Sequence, residues 1–308
     1  MHSIAAEQSS QDAILIVFNS AYFRYARALF ESIKANYPDH PDLLVYYEGD
    51  NPEVLSYLES QRSFVPVSLS RYRREFGGLP AGPIGHPIVY ARFYAFAEDF
   101  AHYRNIVYLD ADTVVLKPLD HLLAMDGFVV GHNFRRSASH LNEPFGVFQP
   151  TPCESQTLCT LLAEDGLPVD PLRLPMVQAG VMKIPRSFRM RNAVAEMHEI
   201  GLRYGPYLRL ADQSLVSIWC RLNGIEPQYL SALSFRSRDL ESPEEISRAY
   251  IVHFDKYKPD SIEFANWPAL EDFAPTQPVI DALTHMFYRY SDYLVPAKDT
   301  QAHLSTVS

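Results

Sequence analysis

The chain has 308 residues, of which 47% are hydrophobic and 13% aromatic, enough for a sizeable core in one large domain or two modest domains. Its net charge of -10 argues against nucleic-acid binding, which usually requires a basic surface. The three cysteines, Cys153, Cys159 and Cys220, have neither metal-ligand spacing nor the even number of a disulfide framework, which favours a reducing compartment.

The two ends of the chain are predicted to be tails. Residues 1–12 are polar and lack the apolar centre of a signal peptide, and residues 296–308 have the composition of a frayed terminus. No apolar run approaches the ~20 residues of a membrane span. We therefore expect a soluble, cytoplasmic protein without a transmembrane segment.

Strand and helix signals alternate through the first half of the chain. The predicted elements are strands over Ile14–Phe18, Leu43–Tyr47, Phe64–Leu69 and from Ile106, with helices over Ala26–Tyr37, from Pro52 and over Ile88–His102. Pro66 places the third strand at an edge, because proline lacks the N–H that a central strand needs. The βαβα order predicts a parallel, doubly wound sheet that binds ligands at the carboxyl ends of its strands.

The second half of the chain is less regular. The predicted elements are a strand pair over Val177–Ile184, helices over Arg191–Leu202, Asp212–Leu222 and Pro278–Tyr293, and a late strand over Ala249–Phe254. Gly180 interrupts the strand pair, which indicates a bulge or a close approach by a ligand. The aromatic residues of the last helix are interpreted as core, since basic residues are scarce there.

The most informative stretch of the chain runs from Ile106 to Val115. An apolar strand ends there in two carboxylates, Asp110 and Asp112, separated by one residue. Side chains at i and i+2 of a strand share a face, so these like charges are expected to project together. A hard divalent cation such as Mg²⁺ or Mn²⁺ resolves the repulsion and can hold a diphosphate.

Four short segments, one of which contains this motif, and the end of a late strand occur in a fixed order along the chain. They are Tyr90-Ala91-Arg92, Leu109-Asp110-Ala111-Asp112-Thr113, Gln178-Ala179-Gly180-Val181, Ala211-Asp212-Gln213 and the strand ending in His253. In order and spacing this set resembles glycosyltransferase family 8, the group of glycogenin and bacterial galactosyl- and glucosyltransferases. The resemblance implies an α/β GT-A fold over residues 13–295, built on a single Rossmann-like, doubly wound mixed sheet. It has a nucleotide-binding half (13–125) and a less regular acceptor-side half (126–295).

The resemblance also implies the chemistry of the metal. Such enzymes bind a nucleotide sugar, usually a UDP-sugar, through Mn²⁺ and transfer a hexose with retention at the anomeric carbon. Asp110, Asp112 and His253 would be the metal ligands, and this mix of carboxylates and imidazole suits Mn²⁺ better than Mg²⁺. Neither the acceptor nor the oligomeric state can be inferred from the sequence.

The remaining roles follow by position in the family. Residues expected to contact the donor are Phe18, Asn19, Tyr22, Arg92, Asp110, Ala111, Gln178, Ala179 and Gly180, with Tyr22 stacking on the base. Asp212 and Gln213 would face the sugar and the acceptor. The family usually has Asn where Gln178 stands. The family's late motif, which starts at the histidine, is one residue longer than the segment from His253 to Pro259 in this chain, and it contains a Gly and a Trp that this chain lacks there. Either Lys256 or Lys258 is therefore the candidate for contacting the diphosphate.

Each of these residues also has an ordinary structural interpretation. His253 would be a hydrogen-bonded core histidine, Arg92 a salt-bridging helix residue, Tyr22 a cap on the core, Asp212 a helix N-cap and Gln178 a satisfied buried amide. These interpretations stay open at the level of the sequence.

Other functions compete with sugar transfer. A phosphatase of the haloacid dehalogenase type would use Asp110 as nucleophile and Asp112 as acid/base, and Asp110-Ala111-Asp112-Thr113-Val114-Val115 fits its motif. That motif normally follows the first strand, whereas about three strand–helix units precede it here. A nucleotidyltransferase would need a glycine-rich loop after the first strand, and the chain has none there. A non-catalytic sugar-nucleotide binder remains a further alternative.

Overall fold

The computed structural model describes residues 11–67, 75–80, 87–132, 155–167, 177–189, 192–208, 211–230, 234–236, 240, 242–254 and 277–291. The strands are β1 (Asp12–Asn19), β2 (Asp42–Glu48), β3 (Phe64–Pro66), β4 (Asn105–Asp110), β5 (Thr113–Val115), β6 (Val129–His132), β7 (Val177–Pro185), β8 (Gln228–Tyr229), β9 (Ser234–Arg236) and β10 (Ile251–His253).

The α-helices are α1 (Phe23–Asn36), α2 (Pro52–Glu59), α3 (Asp120–Ala124), α4 (Ser155–Glu164), α5 (Arg186–Arg189), α6 (Ala193–Tyr204), α7 (Ala211–Leu222), α8 (Pro243–Arg248) and α9 (Gln277–Ser291). Turns of 3₁₀ helix cover Ser20–Tyr22, Pro87–Phe96, Glu98–Phe100 and Gly205–Tyr207. None of the helices within the described ranges combines the length and apolar character that a bilayer-spanning segment needs.

The main sheet has seven strands in the order β3-β2-β1-β4-β7-β6-β8. Strands β1 to β4 are parallel, whereas β7 runs antiparallel to both of its neighbours. The predicted doubly wound mixed sheet is therefore confirmed. The edge position expected for the strand with Pro66 is also confirmed, since β3 ends the sheet.

Alternate residues of β1 enter the cores on opposite faces of the sheet. Ile14 and Ile16 pack towards α1, whereas Ala13 and Leu15 face the opposite core, and all four are fully buried. Strands that are buried on both faces read as continuous apolar runs, which is why this one was recognisable from the sequence. The carboxyl ends of β1 and β4 thus lie side by side on a rigid support.

A second, smaller sheet lies beside the main one, in the order β5-β10-β9. The chain leaves the main sheet after Asp110, turns over Ala111 and Asp112, and enters β5 at Thr113. Thr113 pairs with His253 at the end of the antiparallel β10. The sequence did not predict this sheet, because its strands have only three residues each and meet across the length of the chain.

Ser32 joins α1 to the small sheet. Its buried hydroxyl donates to the carbonyl of Leu29 at 2.8 Å and accepts from the backbone N–H of Val115 at 3.0 Å. Ser32→Ala leaves that buried N–H without an acceptor, so we expect the free energy of unfolding to fall by about 1–3 kcal/mol in urea titrations. Ser60→Ala is the control, because its hydroxyl donates to the carbonyl of Tyr57 and accepts from the side chain of Gln61 at an exposed position, where water can replace both partners. Equal losses for both variants would contradict the assignment.

Two predicted elements were wrong. The helix expected over Ile88–His102 is 3₁₀ over Pro87–Phe96 and Glu98–Phe100, and eight of the ten residues in the first segment are buried. Apolar residues on all sides of a segment leave no helical stripe to define an α-helix. The strand pair with a break at Gly180 is one strand, β7. The irregularity near this glycine is a shift in the pairing of β7 with β6. Val130 pairs with Met182, but the next residue, Gly131, pairs with Gln178.

The later predicted elements agree with the structure within a few residues. The helices predicted over Asp212–Leu222 and Pro278–Tyr293 are α7 and α9, and the helix expected from Arg191 is α6. The late strand is shorter than predicted and ends at His253. The two predicted tails lie almost wholly outside the described residues.

Candidate active site

The predicted ligand-binding edge of the main sheet is where the site residues meet. Val17 near the end of β1 pairs with Asp110 at the end of β4. Because β7 is antiparallel to β4, with Val181 opposite Leu109, the first residues of β7 reach the same edge. Carboxyl ends of parallel strands are where open α/β sheets bind ligands.

Asp110, Asp112 and His253 form a compact group at this edge. Their potential ligand atoms all lie within 4.8 Å of one another. His253 Nε2 is 3.2 Å from Asp112 Oδ1 and 3.4 Å from Asp110 Oδ2. Two carboxylates and one imidazole form a donor set that suits Mn²⁺, so the residues present fit a divalent metal.

The small sheet brings the histidine to the two carboxylates. The β5–β10 pairing sets His253 opposite Thr113, and the backbone N–H of Phe254 donates to the carbonyl of Asp112 at 2.8 Å. The carboxylates therefore converge because the chain turns between two sheets, and not because they share one face of a continuous strand as predicted from the sequence.

Burial dominates the electrostatics of Asp110. It raises the pKa of this carboxyl above its ordinary value, and the like charge of Asp112 adds to the shift, while Arg92, His253 and the Tyr108 hydrogen bond oppose it. A buried carboxyl pair is costly unless a cation balances it. The negative charge of these carboxylates therefore favours the binding of a cation between them.

Arg92 bridges two carboxylates beneath the site. Its Nη2 and Nη1 lie 2.9 Å from Asp110 and from Asp212, and its Nε donates to the carbonyl of Val89 at 2.9 Å. Burial alone lowers the pKa of Arg92, but the two carboxylates raise it by more. The structure thus supports the salt-bridging interpretation of Arg92, which fixes both aspartates in place.

Tyr108 is a site residue that the sequence analysis missed. Its hydroxyl donates to Asp110 Oδ1 at 2.5 Å, and the Arg92 guanidinium lies 5.0 Å from its ring centroid. Burial raises the pKa of this phenol, so it remains a donor. The i, i+2 relation to Asp110 was the available signal, since such residues share a face of the strand.

Asp212 and Gln213 open α7 beside the strand β7. Asp212 pairs with Arg92, and Gln213 Oε1 accepts from the backbone N–H of Ala179 at 3.3 Å. The NH₂ group of Gln213 makes no hydrogen bond to any residue that the structure describes. Both side chains are therefore held by one end and have polar atoms left for a ligand.

Gln178 and Gly180 lie against the histidine. Gln178 Nε2 is 2.9 Å from His253 Nδ1, and a Cβ added to Gly180 would lie 2.5 Å from His253 Cε1. The close approach expected at Gly180 is thus made by a side chain of the protein. Gln178 is a satisfied buried amide, as its ordinary interpretation proposed.

The residues at the end of β1 and just after it differ in their surroundings. Phe18 is buried in the core against Phe30 and Tyr47, so only its backbone is left for a ligand, whereas Tyr22 is 41% exposed. Asn19 Oδ1 is buried and accepts no hydrogen bond within the described part of the chain. Orphan acceptors of this kind usually have a partner in the working protein.

Ala111 and the two candidate lysines complete the predicted set. Ala111 is 4% exposed and packs in the core beneath α1, which leaves its backbone at the turn between Asp110 and Asp112. Lys256 and Lys258 lie outside the described residues, so their part in the site stays a prediction.

Comparison with known proteins agrees with this geometry. Residues 13–133 match the family described as glycosyl transferase family 8. The galactosyltransferase LgtC, solved with donor and acceptor sugar analogues, is 15% identical, has a TM-score of 0.56 and aligns over 93% of this chain and 98% of its own. The structural likeness shows the GT-A fold. No curated protein sequence matches this chain significantly.

Longer glycosyltransferases share the fold over part of their length. The bifunctional glycosyltransferase WbbM is 14% identical with a TM-score of 0.60, over 95% of this chain and 51% of its own. GlyE from Streptococcus pneumoniae is 16% identical with a TM-score of 0.51, over 91% of this chain and 60% of its own. At these identities the likeness establishes a shared fold and does not assign a substrate.

Proposed function

Because residues 13–133 match glycosyl transferase family 8, we propose that the chain is a metal-dependent retaining glycosyltransferase. It moves a hexose from a nucleotide diphosphate sugar, in the first place a UDP-sugar, to an acceptor hydroxyl. The observation that carries the proposal is the convergence of Asp110, Asp112 and His253 at the ligand edge of the sheet.

The donor set supports a role in holding a diphosphate. Asp110, Asp112 and His253 would bind Mn²⁺, which offsets the charge that develops on the leaving diphosphate. Tyr22 is exposed beside the same edge and offers a ring for stacking on the base. Asn19 Oδ1 offers an acceptor for an N–H group of the nucleotide.

The sugar is assigned to the side of the site formed by β7 and α7. Arg92 pairs with Asp212 and fixes its orientation, and the Ala179 N–H donates to the side-chain carbonyl of Gln213. Retention means that the acceptor oxygen bonds to the anomeric carbon on the face that the diphosphate leaves, while an oxygen of the departing diphosphate takes the proton of the acceptor hydroxyl. Asp212 and Gln213 supply a carboxylate and an amide to stabilise positive charge and to orient hydroxyls there.

The alternatives have less support. A phosphatase nucleophile at Asp110 needs a free carboxylate oxygen, but Oδ1 of Asp110 accepts from Arg92 and Tyr108, and Oδ2 lies 3.4 Å from His253 Nε2. The chain also carries Asp110 on β4, after three other strands. A binding protein without catalysis remains the second candidate, and turnover separates it from an enzyme.

A thermal-shift panel of nucleoside diphosphates with and without Mn²⁺ tests the proposal. A ligand that binds only the folded state raises the melting temperature by linkage. We expect UDP to raise it in Mn²⁺ and not in EDTA, and the matching UDP-sugar to be consumed with retention, observed by NMR of the anomeric proton.

Two results would overturn the proposed function. One is the absence of a metal-dependent shift with every diphosphate in the panel. The other is release of phosphate from generic monoesters, which indicates the phosphatase. A metal-dependent shift without turnover of any sugar nucleotide, with or without acceptor sugars, would favour the binding protein.

A further inference from the structure

The side-chain amide of Gln178 is fixed at both ends by the protein. Gln178 is 7% exposed; its Oε1 accepts from the backbone N–H of Gly180 at 3.1 Å, and its Nε2 lies 2.9 Å from Nδ1 of His253. A backbone N–H can only donate. The carbonyl end of the amide must therefore face Gly180, and the NH₂ end must face the histidine.

Two glycines make room for this arrangement. A Cβ on Gly131 would lie 2.5 Å from Gln178 Oε1, and a Cβ on Gly180 would lie 2.7 Å from Gln178 Nε2 and from His253 Nδ1. Any other residue at either position would displace the amide or the ring. The glycines on two strands, β6 and β7, thus leave the space that the hydrogen bond from Gln178 to His253 needs.

The direction of this hydrogen bond matters for metal binding. Because the NH₂ group of Gln178 donates to Nδ1, the neutral ring of His253 carries its hydrogen on Nε2, which faces Asp110 and Asp112. A nitrogen that ligates a metal has no hydrogen, so ligation through Nε2 moves the hydrogen to Nδ1. Gln178 can accept it only by turning its amide, which leaves the Gly180 N–H facing an NH₂ group.

We propose that Gln178 is a positioning residue for His253, which holds the ring in place and, by the orientation of its amide, limits the metal affinity of the site. The inference rests on the proposed function, because it takes Asp110, Asp112 and His253 as metal ligands. A glutamate at this position removes the restraint. Its two oxygens accept from the Gly180 N–H and from Nδ1–H together, and histidines that ligate metals commonly donate to a carboxylate.

Calorimetric titration with Mn²⁺ alone tests the proposal without any donor or turnover. We expect Gln178→Glu to bind Mn²⁺ about 10–100-fold more tightly than the wild type. Gln178→Met keeps the length of the side chain and removes both hydrogen bonds, so it should not reproduce this gain. An affinity of Gln178→Glu that equals or falls below the wild-type value overturns the proposal.

A double-mutant cycle separates the hydrogen bond from the added charge. In a His253→Ala background, Gln178→Glu should lose its gain, because no ring nitrogen is left to donate to the carboxylate. A gain of the same size in that background would show that negative charge alone is responsible, which also overturns the proposal. Circular dichroism establishes that each variant is folded.

A measurement on the wild type keeps the proposal testable if Gln178→Glu does not fold. Nitrogen-15 NMR of the histidine rings in metal-free protein reports which nitrogen carries the hydrogen, and His253→Ala identifies the signal. We expect the hydrogen of His253 on Nε2, and finding it on Nδ1 would overturn the proposal. A wild type that does not bind Mn²⁺ refutes the proposed metal site, whereas normal binding without the Gln178→Glu gain refutes only this inference.

Discussion

Replacing Asp112 by asparagine is expected to abolish the metal-dependent activity and to leave the fold intact. The amide keeps the shape of the side chain and an oxygen that can accept from His253 Nε2, 3.2 Å away. It removes one of two charged ligands, so binding of Mn²⁺ and of the diphosphate should weaken together. A bound metal supplies several kcal/mol, and each 1.36 kcal/mol is tenfold in rate, so kcat/KM should fall by about 10³-fold.

The same variant should unfold at the same or a higher denaturant concentration in the absence of metal. Asp112 and Asp110 repel each other, and removing one buried charge relieves that repulsion. Asp39→Asn is the control, because the Asp39 side chain is 93% exposed and remote from the site. Normal turnover by Asp112→Asn, or an equal loss in Asp39→Asn, would contradict the role of Asp112.

Replacing Arg92 by methionine is expected to have the largest effect on stability. Arg92 is 6% exposed and pairs with Asp110 and Asp212, so its removal leaves two carboxylates that are only 18% and 15% exposed without their counter-ion. Breaking a buried pair in this way typically costs about 3–5 kcal/mol of unfolding free energy, which urea titration measures. Arg92→Lys keeps the charge but not the two-pronged guanidinium that spans both carboxylates. Its loss of unfolding free energy should therefore lie between zero and the loss for Arg92→Met.

Arg203→Met is the matched control for the buried pair. Arg203 also binds two acidic residues, Asp165 and Glu164, but its side chain is 41% exposed. Water screens such a pair, so the change in unfolding free energy should be much smaller than for Arg92. Similar losses at the two positions would show that burial does not set the cost.

The defect of Arg92→Met should also depend on pH. Burial already raises the pKa of Asp110, and removal of Arg92, which lowers it, raises this pKa further. A carboxyl whose pKa is higher in the folded than in the unfolded state stabilises the fold at low pH and loses that contribution as the pH rises through the folded value. The gap to the wild type should therefore narrow on acidification from neutral pH, and a gap that widens would contradict this account.

The first half of the fold was predictable from the sequence because each of its signals is local. The strands β1, β2 and β4 are continuous apolar runs, and Pro66 marks the edge strand. The small sheet was not predictable, since a three-residue strand has too short a pattern to be recognised and gains its stability from distant pairing. The position of His253 relative to the carboxylates was therefore expected from the family resemblance alone.

The three candidate metal ligands were predictable from the sequence, whereas Tyr108 and the contacts of the neighbouring side chains were not. Asp110, Asp112 and His253 lie close together, as expected. Arg92 and Gln178 were expected to contact the donor, but Arg92 pairs with two aspartates and Gln178 hydrogen-bonds to a histidine. A spacing in the sequence identifies which groups reach one edge of a sheet. The direction in which a long side chain turns at that edge depends on tertiary packing.

Anomalous diffraction from crystals grown with Mn²⁺ and UDP tests the central claim most directly. The account predicts one manganese peak bounded by Asp110, Asp112 and His253, in contact with the diphosphate oxygens. A peak bound elsewhere while these three side chains ligate nothing, or UDP seated at this edge with its diphosphate away from them, would contradict it.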